Sequence, residues 1–199
     1  MNNFRWFLFG ALFVCVMALL AIAVFIGRSQ GFSAHAEPSS LEVSIAGMAR
    51  KLAIPSGYRE LHNPLPLSPE NIQAGMQHFA DHCATCHANN GNGDTLFGKG
   101  LYPKPPDFRK PETQNKSDGE LYYVIENGIR LSGMPAFGEH PGTGDTETWH
   151  LVVFIRHLPS LTETELVRMA TLNPKTEEDR KEEQEEQKFL QGESSQGAK

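Results

Sequence analysis

The most constraining feature of this 199-residue chain is a pair of cysteines, Cys83 and Cys86, separated by two residues and followed directly by His87. The pattern Cys-x-x-Cys-His occurs in three kinds of site: a redox-active thiol pair, a zinc site and a covalently attached haem. The third cysteine, Cys15, lies far away in an apolar segment, so a disulfide-stapled scaffold is excluded.

The residues around the motif argue against the first two chemistries. A thioredoxin-type thiol pair follows a strand, whereas a predicted helix precedes this motif and a glycine-rich loop follows it. A zinc site needs four ligands, and candidates stand within ten residues: His78, His82, Cys83, Cys86 and His87. Structural zinc usually takes its second ligand pair from a distant turn, and a zinc site here leaves the long loop 89–116 unexplained.

Haem attachment explains more of the sequence. Two sulfurs at this spacing can reach the two vinyl groups of one porphyrin, and the next residue can direct its imidazole at the iron. A haem also supplies apolar surface for the hydrophobic core, which a small domain with a long irregular central loop otherwise lacks. We therefore predict one haem c, attached through Cys83 and Cys86, with His87 as iron ligand and the loop 89–116 as the pocket wall. Within this loop, a carbonyl of residues 102–106 is expected to accept a hydrogen bond from the other ring nitrogen of His87. Three aromatic residues of the loop are candidates to line the haem: Phe97, Tyr102 and Phe108.

Capping residues predict three helices in the central part of the chain. Ser68 can cap a helix whose first residue is Pro69, and Gly128 suits the end of another. The predicted ranges are 68–82, 117–128 and 146–157, so the second helix begins near Ser117 and the third follows Asp145. A capping box at 162–165 predicts a further short helix that ends before Pro174.

Residues 68–158 resemble class I c-type cytochromes. The segment Gly75-x-x-x-Phe79-x-x-x-Cys83 is similar to that family's first helix, in which the glycine permits close crossing by a C-terminal helix carrying an aromatic residue. The residues similar to that second helix are Trp149, Val153 and Phe154. The resemblance implies an all-α cytochrome c fold, with three main helices and long loops around a covalent haem. Ala88 departs from the family's usual glycine after the histidine.

The sixth iron ligand decides the function, because an open iron binds small ligands whereas two strong protein ligands leave only electron exchange. Met134 is the candidate, since it stands between Gly133 and Pro135 on the loop between the second and third predicted helices. This segment also resembles the family's axial Gly-Met-Pro sequence. The remaining candidates are Met76, His140 and His150, together with His78 and His82, whose side chains are expected to face solvent.

The N-terminal part of the chain predicts membrane attachment. Residues 6–26 form an uncharged apolar run long enough to cross a bilayer, although cleavage as a signal peptide after Ala36 is an alternative. Arg5 and the N-terminal amine favour a cytoplasmic N-terminus and a periplasmic haem domain. In the following segment, one helical face carries Leu41, Ile45, Met48 and Leu52.

The predicted organisation is an anchor at 1–27, a linker with a short amphipathic helix at 28–67, a haem domain at 68–160 and a tail at 161–199. A fully flexible linker of this length would span on the order of 35 Å. The tail is predicted to contain a charged helix and a disordered end. The net charge of −6 and the lack of a polybasic segment argue against nucleic acid as a partner.

The sequence thus predicts a single-pass protein of the cytoplasmic membrane that carries single electrons in a respiratory chain and is not itself an enzyme. Its expected partners are redox proteins, including membrane complexes that donate and accept electrons. Two alternatives stay open: a fixed cytochrome subunit of a membrane dehydrogenase or oxidase, and a haem sensor or peroxidase with a labile Met134.

Overall fold

The computed structural model describes residues 2–28, 32–138, 142, 144–175 and 177–190. These residues form helices and loops, and no strand occurs among them, which confirms the predicted all-α class. The helices are α1 (Asn2–Arg28), α2 (Ser40–Ala53), α3 (Ser56–Arg59), α4 (Pro69–His78), α5 (Ala84–His87), α6 (Leu96–Lys99), α7 (Pro111–Gln114), α8 (Asp118–Asn127), α9 (Thr146–His157), α10 (Glu163–Leu172) and α11 (Glu177–Leu190).

The predicted capping residues begin the helices of the central part. The Ser68 hydroxyl accepts a hydrogen bond from the Asn71 amide at 3.3 Å, with Pro69 in the first turn of α4. The Asp145 carboxylate caps α9 in the same way, accepting from the Glu147 amide at 3.0 Å. Capping boxes also start α8 and α10, so local hydrogen bonding sets these helix starts.

Helices α4 and α9 cross at Gly75, as the family resemblance implies. A methyl group at Gly75 would overlap the carbonyl oxygen of His150 and lie 2.8 Å from Cβ of Phe154. Beside the crossing, the rings of Phe79 and Phe154 lie 5.2 Å apart, and both side chains are fully buried. This contact forms the centre of the hydrophobic core.

Part of the predicted linker packs against the domain. The Tyr58 ring lies 4.9 Å from Tyr123 and 6.4 Å from Tyr122, and Ile54 is buried. A methyl group at Gly119 would overlap the Tyr58 carbonyl oxygen, so this glycine lets α3 lie directly on α8. The folded unit therefore extends upstream of the boundary predicted at residue 68. The segment that carries Ile54 and Tyr58 is packed, so the span calculated for a fully flexible linker does not apply to it.

The short helix α10 also belongs to this core. The Met169 side chain is fully buried in the main hydrophobic cluster, although the sequence places it beyond the domain boundary at residue 160. His157 Nε2 lies 2.8 Å from a carboxylate oxygen of Glu165 and ties α9 to α10. Burial of the Met169 side chain therefore places α10 in the same folded unit as α4 and α9.

The two ends of the described chain are helical and exposed. Helix α1 includes the predicted apolar run, and by length and composition its residues Asn3–Arg28 can cross a membrane. Helix α11 is the predicted charged helix. The predicted disordered end lies within 191–199, outside the described residues.

Candidate functional site

A cavity of about 390 Å³ opens between the motif, the loop 101–108 and the loop 129–137. Its size lies in the range of cofactor sites. All four predicted site residues line it: Cys83, Cys86, His87 and Met134. Apolar side chains from α8 and α9 form its inner wall, among them Leu121, Ile125 and Leu151.

A wide helical turn positions the motif at the cavity. Residues Phe79–Cys83 form a π-helical segment between α4 and α5, in which the Ala84 amide donates to the Phe79 carbonyl. Such wide turns are frequent at functional sites. Here Cys83, Cys86 and His87 all reach the same cavity.

The long loop after the motif folds back over it, as predicted for a pocket wall. The Gly93 amide donates to the His87 carbonyl at 2.8 Å, and the Phe108 amide donates to the Gly91 carbonyl at 2.8 Å. Gln114 anchors the end of the loop through its side-chain nitrogen, which donates to the carbonyls of Phe108 at 2.7 Å and Ile155 at 2.8 Å. The loop is thus organised by hydrogen bonds to the motif and to α9.

His87 is buried at the end of the motif and is 8% exposed. Burial lowers the pKa of its imidazole to about 4, so the ring is neutral at physiological pH and retains a lone pair for a metal. Its Nδ1 atom is buried without a hydrogen-bond partner. The sequence predicts an acceptor carbonyl for this histidine within 102–106, and no such bond to Nδ1 is present, although residues 103–106 line the cavity.

The two cysteines do not resemble a redox-active pair. Both are free thiols, and burial together with the neighbouring Cys86 raises the pKa of Cys83 to about 12. Catalytic thiols have the opposite shift, because a positive environment stabilises their thiolates. Zinc is also disfavoured: among the described residues no three His, Cys, Asp or Glu side chains group as a metal site.

Met134 reaches the cavity from a loop closed by its own hydrogen bonds. The Ile129 amide donates to the Met134 carbonyl at 3.0 Å, and the Met134 amide donates to the Ser132 hydroxyl at 3.1 Å. A methyl group at Gly128, where φ is +64°, would lie 2.7 Å from the Met134 carbonyl oxygen. Glycine at the end of α8 therefore allows this loop to lie close to the helix.

The other ligand candidates differ in whether they line the cavity. Met76 is buried in the core away from the cavity wall, and His78 and His150 do not line the cavity either. His82 does line it, but its side chain is about half exposed (51%), in agreement with the solvent-facing position expected from the sequence. His140 lies outside the described residues.

Two features of the site go beyond what the sequence indicated. Phe108, one of three aromatic residues considered for the pocket, stacks on His87, whereas Phe97 and Tyr102 do not line the cavity. Behind the Met134 loop, the buried Glu126 accepts a hydrogen bond from the Thr148 hydroxyl at 3.1 Å. In the sequence, the only indication of this buried carboxylate is that Glu126 falls on the apolar side of α8.

These residues fit a haem. The cavity is largely apolar, two free cysteines stand on its wall, and a neutral buried imidazole has a ring nitrogen without a protein partner. Residues 70–155 match the family model described as cytochrome C oxidase, cbb3-type, subunit III. No match was found among curated proteins.

Proposed function

Because residues 70–155 form a class I c-type cytochrome domain, we propose that this chain transfers single electrons through one covalently bound haem c. The observation that carries the proposal is the convergence of Cys83, Cys86, His87 and Met134 on one apolar cavity. When bound, a haem with two strong axial ligands supplies reversible one-electron chemistry with little access for other ligands.

Each residue of the cavity has a proposed role. Cys83 and Cys86 hold the haem through thioether bonds, and His87 is the proximal ligand. Its neutral state suits iron binding, because a protonated imidazole has no free lone pair. Phe108 stacks on the same ring at 4.2 Å and restricts its rotation.

Met134 is the proposed sixth ligand. It is the one methionine on the cavity wall among the described residues, and it stands on a loop separate from the motif. A thioether favours ferrous iron more than an imidazole does, so this ligation raises the reduction potential relative to two histidines. His82 is the competing donor, because it also lines the cavity.

We further propose that α1 is an uncleaved single-pass anchor in the cytoplasmic membrane, with the haem domain on the periplasmic side. Support comes from the apolar length of α1 and from the weak positive-inside bias of Arg5. The proposed donors and acceptors are redox proteins of a membrane respiratory chain. The carrier itself catalyses no reaction of substrates.

A fixed subunit of a membrane oxidase is the second candidate, because the description of the matching family names an oxidase subunit. The two candidates share the same haem chemistry and differ in partners. Purification in a mild detergent distinguishes them: a shuttle is recovered as a single polypeptide, whereas a fixed subunit co-purifies with other chains in constant ratio.

Haem staining after denaturing electrophoresis tests the covalent attachment. The native chain is expected to stain, because thioether bonds survive unfolding, and the variant Cys83→Ala/Cys86→Ala is expected not to stain. Cys15→Ala is the matched control, since this cysteine lies in α1 and not on the cavity wall. Staining of the double variant, or zinc without iron in the native protein, overturns the proposal.

Optical spectra and carbon monoxide binding test the sixth ligand. The native protein should be low-spin in both oxidation states and should not bind carbon monoxide readily. Met134→Ala should become partly high-spin and bind it, while Met134→His should stay low-spin with a lower potential. If Met134→Ala stays low-spin, adding His82→Ala shows whether that histidine has replaced the lost ligand. Carbon monoxide binding by the native protein would instead favour a sensor or peroxidase.

A further inference from the structure

Helix α2 carries a stripe of large apolar side chains that nothing in the described structure covers. Leu41, Ile45, Met48 and Leu52 are 69%, 55%, 60% and 73% exposed, and their spacing of four, three and four residues places them on one face. Ala46 and Gly47 are the two partly buried residues of α2, and they lie on the other side of the helix. The large apolar side chains therefore point away from the partly buried side.

Contacts at both ends hold α2 against the haem domain. Near its start, the Tyr102 hydroxyl donates to a Glu42 carboxylate oxygen at 2.5 Å. At its end, the Arg59 guanidinium donates to the carbonyls of Lys51 and Ile54, the latter at 2.9 Å. A cation bound to the last carbonyls of a helix also complements the helix dipole. The outward direction of the stripe is thus set by the domain.

We propose that this stripe lies in the interface of the membrane that holds α1. Residues 29–39 separate α1 from α2, and a chain of this length spans at most about 40 Å, so the membrane surface is always within reach of α2. An amphipathic helix lies in the plane of a bilayer when its apolar face enters the boundary between headgroups and acyl chains. The inference rests on the proposed anchoring by α1 but not on the haem.

The charges of α2 agree with a lipid surface. Its last turn carries the exposed Lys51, which lies about 80° around the helix from Leu41 and so flanks the stripe, whereas Arg50 lies on the opposite side. Glu42 is the one acidic residue of α2 and is engaged by Tyr102. Basic residues beside an apolar face attract anionic headgroups.

Membrane contact by α2 would also position the cavity. Tyr102, which binds α2, stands between Leu101 and Pro103, and both of these neighbours line the cavity. A helix lying in the interface therefore keeps this wall of the cavity near the bilayer. The arrangement suits electron exchange with partners embedded in the same membrane.

Cysteine labelling of the full chain tests the proposal. In a Cys15→Ala background, Ile45→Cys places a thiol in the stripe, and Val43→Cys is the matched control. Val43 is 52% exposed and lies about 200° around the helix from Leu41, so it is an apolar residue of similar exposure on the other side. The proteins are placed singly in nanodiscs of phosphatidylethanolamine and phosphatidylglycerol and treated with a membrane-impermeant maleimide.

The thiol at position 45 is expected to react at least about tenfold more slowly than the thiol at position 43, after each rate is normalised to that of the urea-unfolded protein. Met48→Cys should repeat the protection if Ile45→Cys folds poorly. Equal labelling rates at positions 43 and 45 overturn the proposal. Protection that appears only with several chains per disc also overturns it, because a second copy of the chain then covers the stripe. Carbonate washing of the starting membranes tests the α1 anchor separately. A chain that the wash releases is not anchored by α1, which contradicts the proposed anchor and not the contact of α2 with lipid.

Discussion

The phenyl ring of Phe108 stacks on the imidazole of His87, with ring centroids 4.2 Å apart and an interplanar angle of 23°. The same phenyl ring contacts the buried Phe79 edge-on at 6.1 Å. Phe108 therefore links the proposed iron ligand to the hydrophobic core, and the long loop that carries it has a structural function beyond covering the cavity.

Replacing Phe108 by alanine should lower the free energy of unfolding by about 2 kcal/mol, because it removes partly buried apolar surface and leaves a cavity beside His87. Denaturant unfolding of the detergent-solubilised protein, followed by circular dichroism, measures the change. Phe97→Ala is the control: this side chain is 64% exposed, and its loss should change stability by less than about 0.5 kcal/mol. Equal effects of the two substitutions would contradict the packing described for Phe108.

Gly75→Ala should destabilise the domain by about 3 kcal/mol, because the added methyl group overlaps the His150 carbonyl and forces α4 and α9 apart. The backbone of α9 cannot move aside as a flexible side chain could. Gly47→Ala is the matched control, since a methyl group there meets no atom within 4 Å, and it should not lower the denaturation midpoint. Tolerance of Gly75→Ala would show that the helices do not cross at this residue.

Ala88→Gly should increase stability by about 1 kcal/mol. Ala88 has φ of +61° and ψ of 157°, a backbone region that only glycine occupies without strain. The expected gain in the free energy of unfolding is smaller than the strain energy relieved at Ala88, because glycine also increases the entropy of the unfolded chain. A shift of the thermal midpoint measures it. Ala170→Gly, on the exposed side of α10, should have the opposite sign; a loss of stability in both variants would refute the strain at Ala88.

Glu126→Gln should stabilise the protein at neutral pH. Burial raises the pKa of Glu126 above its usual 4.5, and the nearby Asp145 carboxylate adds to this shift. From pH 4.5 up through the raised pKa, the folded state binds more protons than the unfolded state, so stability falls as the pH increases. The amide side chain cannot ionise, and its oxygen can still accept from Thr148.

Unfolding measured across the pH range from 4 to 8 tests this expectation, with Glu163→Gln at an exposed position as the control. The difference between Glu126→Gln and the native protein should grow with pH, whereas the control difference should not. A native protein that gains stability relative to Glu126→Gln as the pH rises would show that Glu126 is stabilised as a carboxylate.

Some features of this protein could be predicted because they depend on residues close together in the chain. Ser68, Ser117 and Asp145 cap helices through bonds to amides two or three residues away, so the starts of α4, α8 and α9 agree with the sequence. The spacing of Cys83, Cys86 and His87 likewise constrains the chemistry of the motif before any fold is known. The apolar length of α1 is also a local property.

Other features depend on which distant surfaces meet, and only the tertiary structure decided them. The sequence shows an apolar side on α10 but not that Met169 enters the core, and it does not show that Tyr58 packs on α8. The π-helical turn places His82 at the cavity, and the fold leaves Nδ1 of His87 without the predicted acceptor.

The physical reason for this division is the range of the interactions. Capping bonds, motif spacing and apolar run length are set within a few residues, and the same local geometry forms wherever the segment lies in the fold. Burial is a property of pairs of surfaces: an apolar face is equally compatible with a core, as in α10, and with exposure, as in α2. The sequence therefore determined the motif, the starts of the main helices and the expected class of cofactor, whereas packing determined the limits of the domain and the walls of the cavity.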